Sequence, residues 1–118
     1  MKRILIVDDD PGVQDAYKFI FSRQKYEVVI YANGTEIFKN NYKLPDLFIL
    51  DKQLSGIDGL DICSFLKKQN ETKNIPVIML SASPNLGKLA KSAGADDMLE
   101  KPFHIKELRK LVDRFLFN

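Results

Sequence analysis

The chain lacks the residues that bind soft metals and the residues that staple a fold. Cys63 is its single cysteine, so no disulfide can form within the chain and cysteine-based zinc clusters are excluded. His104 is its single histidine, too few for a histidine-rich metal site. Any bound metal must therefore be held by oxygen, which points to a hard cation. No apolar run approaches the length of a membrane span. Met1-Lys2-Arg3-Ile4-Leu5-Ile6-Val7 opens like a signal peptide, but three aspartates follow and the apolar run is too short. No dense Lys/Arg run is present to track a phosphate backbone, so direct nucleic-acid binding is not expected. The net charge is only +2 with 45% hydrophobic residues, which disfavours disorder. What remains is a globular chain of 118 residues, expected to be one cytoplasmic domain over residues 1–118 with no linker, repeat or low-complexity segment.

Short apolar runs alternate with amphipathic stretches of helix length. Ile4-Leu5-Ile6-Val7, Val28-Val29-Ile30-Tyr31, Leu47-Phe48-Ile49-Leu50 and Pro76-Val77-Ile78-Met79-Leu80 read as strands buried on both faces. A weaker fifth run surrounds Met98-Leu99. Between them, Val13, Ala16, Tyr17, Ile20 and Phe21 share one helical face. Asp10 suits that helix as N-cap and Pro11 its first turn. Further helices are expected over Thr35 to Asn40, from Gly59 through Leu66, over Leu86 to Ala93 with Gly94 closing it, and from Ile105 to Leu116. The order βαβαβαβαβα requires right-handed crossovers and a parallel sheet covered on both faces. In such a sheet a ligand sits outside the carboxyl ends of the strands.

Those ends carry Asp8-Asp9-Asp10, Asp51, Ser81 and Lys101. Carboxylates brought together repel and raise one another's pKa, a penalty that a divalent cation removes. Mg²⁺ favours one or two carboxylates together with waters and phosphate oxygens. An aspartate can accept a phosphoryl group as nucleophile, and a lysine and a serine can stabilise the transferred oxygens. The chemistry suggested is Mg²⁺-assisted phosphoryl transfer.

Four segments carry a resemblance: Ile4 to Pro11, Leu47 to Asp51 with Gly56-Ile57-Asp58-Gly59, Val77 to Ala82, and Gly94 to Phe103. Over essentially its whole length the chain resembles a receiver domain of two-component response regulators. The resemblance implies a flavodoxin-like, doubly wound (βα)5 fold of class α/β, with strand order 2-1-3-4-5. It implies Asp51 as phosphoacceptor, Asp9 as direct Mg²⁺ ligand, Asp8 as ligand through water, and the backbone carbonyl of Gln53 as a further ligand. It implies Ser81 as the hydroxyl that senses the phosphoryl group, Lys101 as its cation, and a cis Lys101-Pro102 bond. The implied donor is a histidine kinase or histidine phosphotransferase. The implied output is an unidentified downstream protein, or a homodimer formed through the face of the fourth helix, fifth strand and fifth helix. Only self-directed phosphotransfer and autodephosphorylation are implied, not turnover of an external substrate.

Three departures stand out. Ser55 replaces a usual proline. Met98 replaces the usual aromatic switch residue, so Ser81 and backbone movement are expected to carry the switch while Met98 adjusts passively. Ser81 and Lys101 are twenty positions apart, short for the family, with the shortening expected around Ser83-Pro84 or in the fourth helix.

Plainer readings fit other residues. Asp10 and Asp58 read as helix caps, Asp96 and Asp97 as surface acids, and His104 as an exposed residue at a helix start. Cys63, Tyr17, Phe21 and Phe115 read as core. Phe117 reads as exposed or as part of a partner surface. Two other functions compete. A haloacid-dehalogenase-like phosphatase would use Asp8 as nucleophile, but Pro11-Gly12 fits its pattern poorly and no cap domain has room. A phosphate-independent receiver-like module would not need Asp8, Asp9, Asp51, Ser81 and Lys101 together. A phosphate-binding-loop enzyme is excluded because Gly87-Lys88 lacks the upstream glycine and a following Ser/Thr. The chain ends with its last helix, so no DNA-binding or catalytic output domain is expected to follow, and it is expected either to act alone by binding partners or to be a receiver excised from a larger protein.

Overall fold

The computed structural model describes residues 1–21, 25–54, 56–82 and 86–117. The elements run β1 (Lys2–Val7), α1 (Pro11–Ile20), β2 (Tyr26–Tyr31), α2 (Thr35–Phe38), β3 (Leu47–Asp51), α3 (Gly59–Lys68), β4 (Val77–Ser81), α4 (Leu86–Ala93), β5 (Asp97–Glu100) and α5 (Ile105–Leu116). The five strands form one parallel sheet in the order β2-β1-β3-β4-β5. The expected α/β class, strand order and helix sequence are all present.

The unbroken apolar runs are explained by the two layers they serve. Alternate residues of a strand face opposite sides of the sheet. Ile4 and Ile6 of β1, Leu47 and Ile49 of β3, and Ile78 and Leu80 of β4 join one core with Tyr17, Ile20 and Phe21 of the α1 segment and Leu108 and Val112 of α5. Leu5 and Val7, Phe48 and Leu50, and Val77 and Met79 join the other core with Ile62, Cys63 and Leu66 of α3 and Ala90 of α4. Strand β5, at the sheet edge, alternates half-buried and exposed residues, which is why its apolar signal is weak.

The caps hold as expected. Asp10 accepts from the backbone N–H groups of Gly12 (2.9 Å) and Val13 (3.3 Å), and Asp58 accepts from Leu60 N–H (2.9 Å). Gly94 takes a φ of 91°, the left-handed conformation glycine tolerates best. The Lys101–Pro102 bond is cis.

Several boundaries and burials differ from the sequence reading. Helix α2 stops at Phe38, short of Asn40, which takes φ 57° and cannot continue a right-handed helix. Strand β2 starts earlier, at Tyr26, and β4 starts at Val77, after Pro76, which has no N–H to give a ladder. Phe115 is half-buried at the margin of the core, and Phe117 is 48% exposed. Asp96 is exposed yet fastens the far end of the sheet, accepting from Lys67 Nζ (2.7 Å) and from Val77 N–H (2.8 Å). Asp97 pairs with Arg114 of α5. The expectations for Ser55 and for the loop around Ser83-Pro84 lie outside the described residues.

Gly59 fixes the return of the chain after β3. Its N–H donates to Lys52 O (3.0 Å), and a Cβ at this position would lie 2.0 Å from the carbonyl oxygen of Asp51. Backbone on both sides of that approach leaves nothing soft to yield. Gly59→Ala is therefore expected to destabilise the fold by at least about 2 kcal/mol in urea unfolding, and near-native stability would show that this approach is not required. Burial also pushes the Cys63 thiol up to about 11. The folded protein is expected to react with a thiol reagent at pH 8 no faster than it opens, checked by comparing labelling with and without denaturant.

Candidate functional site

The carboxyl ends of β1 and β3 bring Asp8, Asp9 and Asp51 together. One carboxylate oxygen from each lies within 4.8 Å of the others. Asp8 is fully buried, Asp51 is 5% exposed, and Asp9 is half-buried at the opening. The ammonium of Lys101, just beyond β5, reaches across the sheet end to Asp51 Oδ2 (3.0 Å) and lies 3.5 Å from Asp8 Oδ2. Parallel pairing sets this reach, because Lys101 N–H donates to Ser81 O (2.8 Å) and Lys52 N–H to Leu80 O (2.9 Å).

Asp51 sits under opposed influences. Burial raises its pKa above the ordinary value, with Asp8 adding to the rise, whereas the hydrogen bond and charge of Lys101 and the N–H of Gln53 lower it. Its Oδ1 accepts from Gln53 N–H at 3.1 Å. The net direction is upward, because burial outweighs the lysine contact.

Ser81, at the end of β4, is buried, and its hydroxyl accepts from Gln53 Nε2 at 2.8 Å. Gln53 thus touches both the Asp51 carboxylate, through its backbone, and Ser81, through its side chain. Met98 stands apart. It is 42% exposed on β5, beside Met79 in the sheet register, with its Sδ and Cε next to Gly87 of α4. Asp10 is occupied with its helix cap, and Asp58 pairs with Lys52 (3.1 Å).

Two contacts were not read from the sequence. Tyr17 of α1, taken only as core, donates its hydroxyl to Asp8 Oδ2 at 3.0 Å. Burial and the neighbouring Asp8 push its phenol well above the ordinary range, so it remains a donor. Gln14 Nε2 donates to the Asp8 carbonyl at 2.7 Å. Gln14 and Tyr17 stand at i, i+3 on α1, and that shared helical face was the available signal. The side chain of Gln53 had no periodic or motif signal at all.

The donor set is wholly oxygen, with two buried acids and a third at the opening, and it fits a hard divalent cation such as Mg²⁺. The family model described as the response regulator receiver domain matches residues 4–113. The chain belongs to this family. Among curated proteins, it is 37% identical to the DNA-binding dual master transcriptional regulator RpaA of Synechocystis sp., over 98% of this chain and 49% of that protein. It is 31% identical to the phosphate regulon transcriptional regulatory protein PhoB of Rhizobium meliloti, over 98% of this chain and 52% of that protein. The chain thus spans about half the length of these relatives. Among solved structures, the signal receiver domain of a signal transduction histidine kinase from Syntrophus aciditrophicus superposes with a TM-score of 0.88, at 33% identity over 98% of this chain and 90% of that one. The receiver domain of a sensor histidine kinase from Pseudomonas aeruginosa, with a magnesium ion coordinated in its active-site cleft, gives a TM-score of 0.87 at 25% identity, over 99% of this chain and 98% of that one. Among the described residues of this receiver domain, no helix is long and apolar enough to cross a membrane.

Removing the cation of the acid cluster has a predictable pH signature. Asp51 is already raised in the folded state, so its charge opposes folding above the ordinary carboxylate value near 4 and the opposition fades as pH falls through the raised value. Lys101→Met removes the charge that limits this. The variant is expected to lose about 2 kcal/mol at pH 8 and markedly less at pH 5, measured by urea unfolding. An equal loss at both pH values would show that Lys101 does not hold the acid cluster together.

Proposed function

We propose that residues 1–118 form one cytoplasmic receiver domain that accepts a phosphoryl group on Asp51 and switches partner binding in response. The observation that carries this reading is the pairing of Asp51, at the end of β3, with Lys101 at 3.0 Å and with Asp8 and Asp9 within reach. A carboxylate oxygen of Asp51 attacks phosphorus, the bond from phosphorus to the donor breaks, and an acyl phosphate forms. Lys101 is placed to neutralise the transferred oxygens, and the Ser81 hydroxyl to hydrogen-bond one of them. Asp9, Asp51 and the Gln53 carbonyl would hold Mg²⁺ directly, and Asp8 through water. The ion supplies charge neutralisation at the transferring oxygens when bound. The donor in this reading is a histidine kinase or a histidine phosphotransferase. The alternative that makes Asp8 the nucleophile is disfavoured by its full burial and by donors on both of its oxygens, from Asp10 N–H (3.1 Å) and Tyr17 (3.0 Å).

The output in this reading passes through Ser81, because a charge-assisted hydrogen bond is the new contact the phosphoryl group offers it. Gaining that contact changes the Ser81–Gln53 pair. Met98, exposed and flexible beside Gly87, adjusts without driving the change. The face of α4, β5 and α5 is the surface expected to meet a downstream protein or a second copy of the chain.

Incubation with a small phosphodonor and Mg²⁺, borohydride reduction and peptide mapping should place the label on Asp51. Label on Asp8 or Asp9 with Asp51 clean would overturn the reading. For the output, amide exchange over residues 81–101 with and without beryllofluoride should lose its difference in Ser81→Ala and keep it in Met98→Leu. A Met98→Leu variant as unresponsive as Ser81→Ala would make the methionine an active switch element.

A further inference from the structure

Tyr17 belongs to the apolar layer between α1 and the sheet, in one buried cluster with Ile4, Ile6 and Ile20. Packing alone asks only for the ring. The hydroxyl does something the core does not need, because it ends on a fully buried carboxylate oxygen, Asp8 Oδ2. That same oxygen is the one Lys101 faces at 3.5 Å, while Lys101 makes its shorter contact, 3.0 Å, with Asp51. The other oxygen of Asp8 is held by Asp10 N–H at 3.1 Å, its carbonyl by Gln14 Nε2 at 2.7 Å, and its N–H donates to Tyr31 O at 3.0 Å. Asp8 is thus fixed from every side, and one ammonium is shared between it and Asp51.

A buried carboxylate oxygen stripped of a donor draws the nearest cation to itself. We infer that Tyr17 is a positioning residue, whose hydroxyl satisfies the inner oxygen of Asp8 and thereby leaves the Lys101 ammonium to Asp51. A phenol suits this task because it donates without adding charge, so the acid cluster keeps its attraction for a cation. The consequence for phosphoryl transfer rests on Asp51 being the acceptor, as proposed above. The division of the lysine between two aspartates does not.

The test reads the lysine first. The ¹⁵Nζ chemical shift of Lys101 is measured without Mg²⁺ or phosphodonor in the wild type, in Tyr17→Phe, and in two references, Asp8→Asn and Asp51→Asn, which leave the lysine to one acid or the other. The wild type is expected to lie near Asp8→Asn, and Tyr17→Phe to move toward Asp51→Asn. A lysine signal in Tyr17→Phe unchanged from the wild type overturns the inference. Should Tyr17→Phe alone not fold, Tyr17→Phe is compared with its absence in the Asp8→Asn background. No further lysine shift is expected there, and a shift there overturns the inference. Phosphorylation at saturating Mg²⁺ is then expected to slow by about five-fold in folded Tyr17→Phe. A merely structural role would lower the melting temperature and leave both the lysine signal and this saturated rate unmoved. Failure of wild-type Asp51 to take label would sink the phosphoacceptor reading, while the lysine shift would still decide the role of Tyr17.

Discussion

The ammonium of Lys101, lying between two buried carboxylates, is the interaction on which the rest of the site depends. Burial, with Asp8 beside it, raises the carboxyl of Asp51, and the hydrogen bond and charge of Lys101 oppose that rise. Lys101 leaves the cluster short of positive charge rather than balanced, and the carboxyl of Asp51 is raised despite its contact. A divalent cation held among these acids would relieve the excess negative charge. The deficit costs stability in the resting chain.

The sheet produces this deficit by simple means. Parallel strands put their carboxyl ends on one edge, and the order β2-β1-β3-β4-β5 sets β1, β3 and β4 side by side at its centre. The acids follow directly on the buried runs of β1 and β3, so they inherit the burial of those runs. Gly59 lets α3 return close against the end of β3, and Asp10 and Pro11 start α1 at once after β1. Tyr17 of α1 joins the apolar layer at one end and Asp8 at the other.

Much of this was legible before any coordinates. A strand buried on two faces writes itself as an unbroken apolar run, and a capped helix writes Asp10-Pro11 or Asp58-Gly59, so the order and class of elements followed from residue types alone. Asp8, Asp9, Asp51 and Lys101 were legible as a group because a parallel sheet must gather strand ends. What was not legible depends on side chains choosing among partners. Tyr17 has the spacing of a core residue, and its hydroxyl is invisible to periodicity. Gln53 could be placed by its backbone, but no pattern predicts that its amide meets Ser81. Asp96 has a surface residue's exposure, and its clasp on Lys67 and Val77 appears only once α3, β4 and β5 are side by side. Edge effects account for the rest: β5 is half-exposed and therefore weakly written, and α2 is too short to show a period.

The account turns on charge repulsion among the three acids, and unfolding free energies measured with and without Mg²⁺ test it most directly. Asp9→Asn keeps the shape of the site and removes one of the three charges. The account predicts that this variant is more stable than the wild type without Mg²⁺, and that it loses most of the Mg²⁺-dependent stabilisation the wild type shows. An Asp9→Asn variant that is less stable than the wild type without the ion, and is stabilised by Mg²⁺ to the same extent, would contradict it.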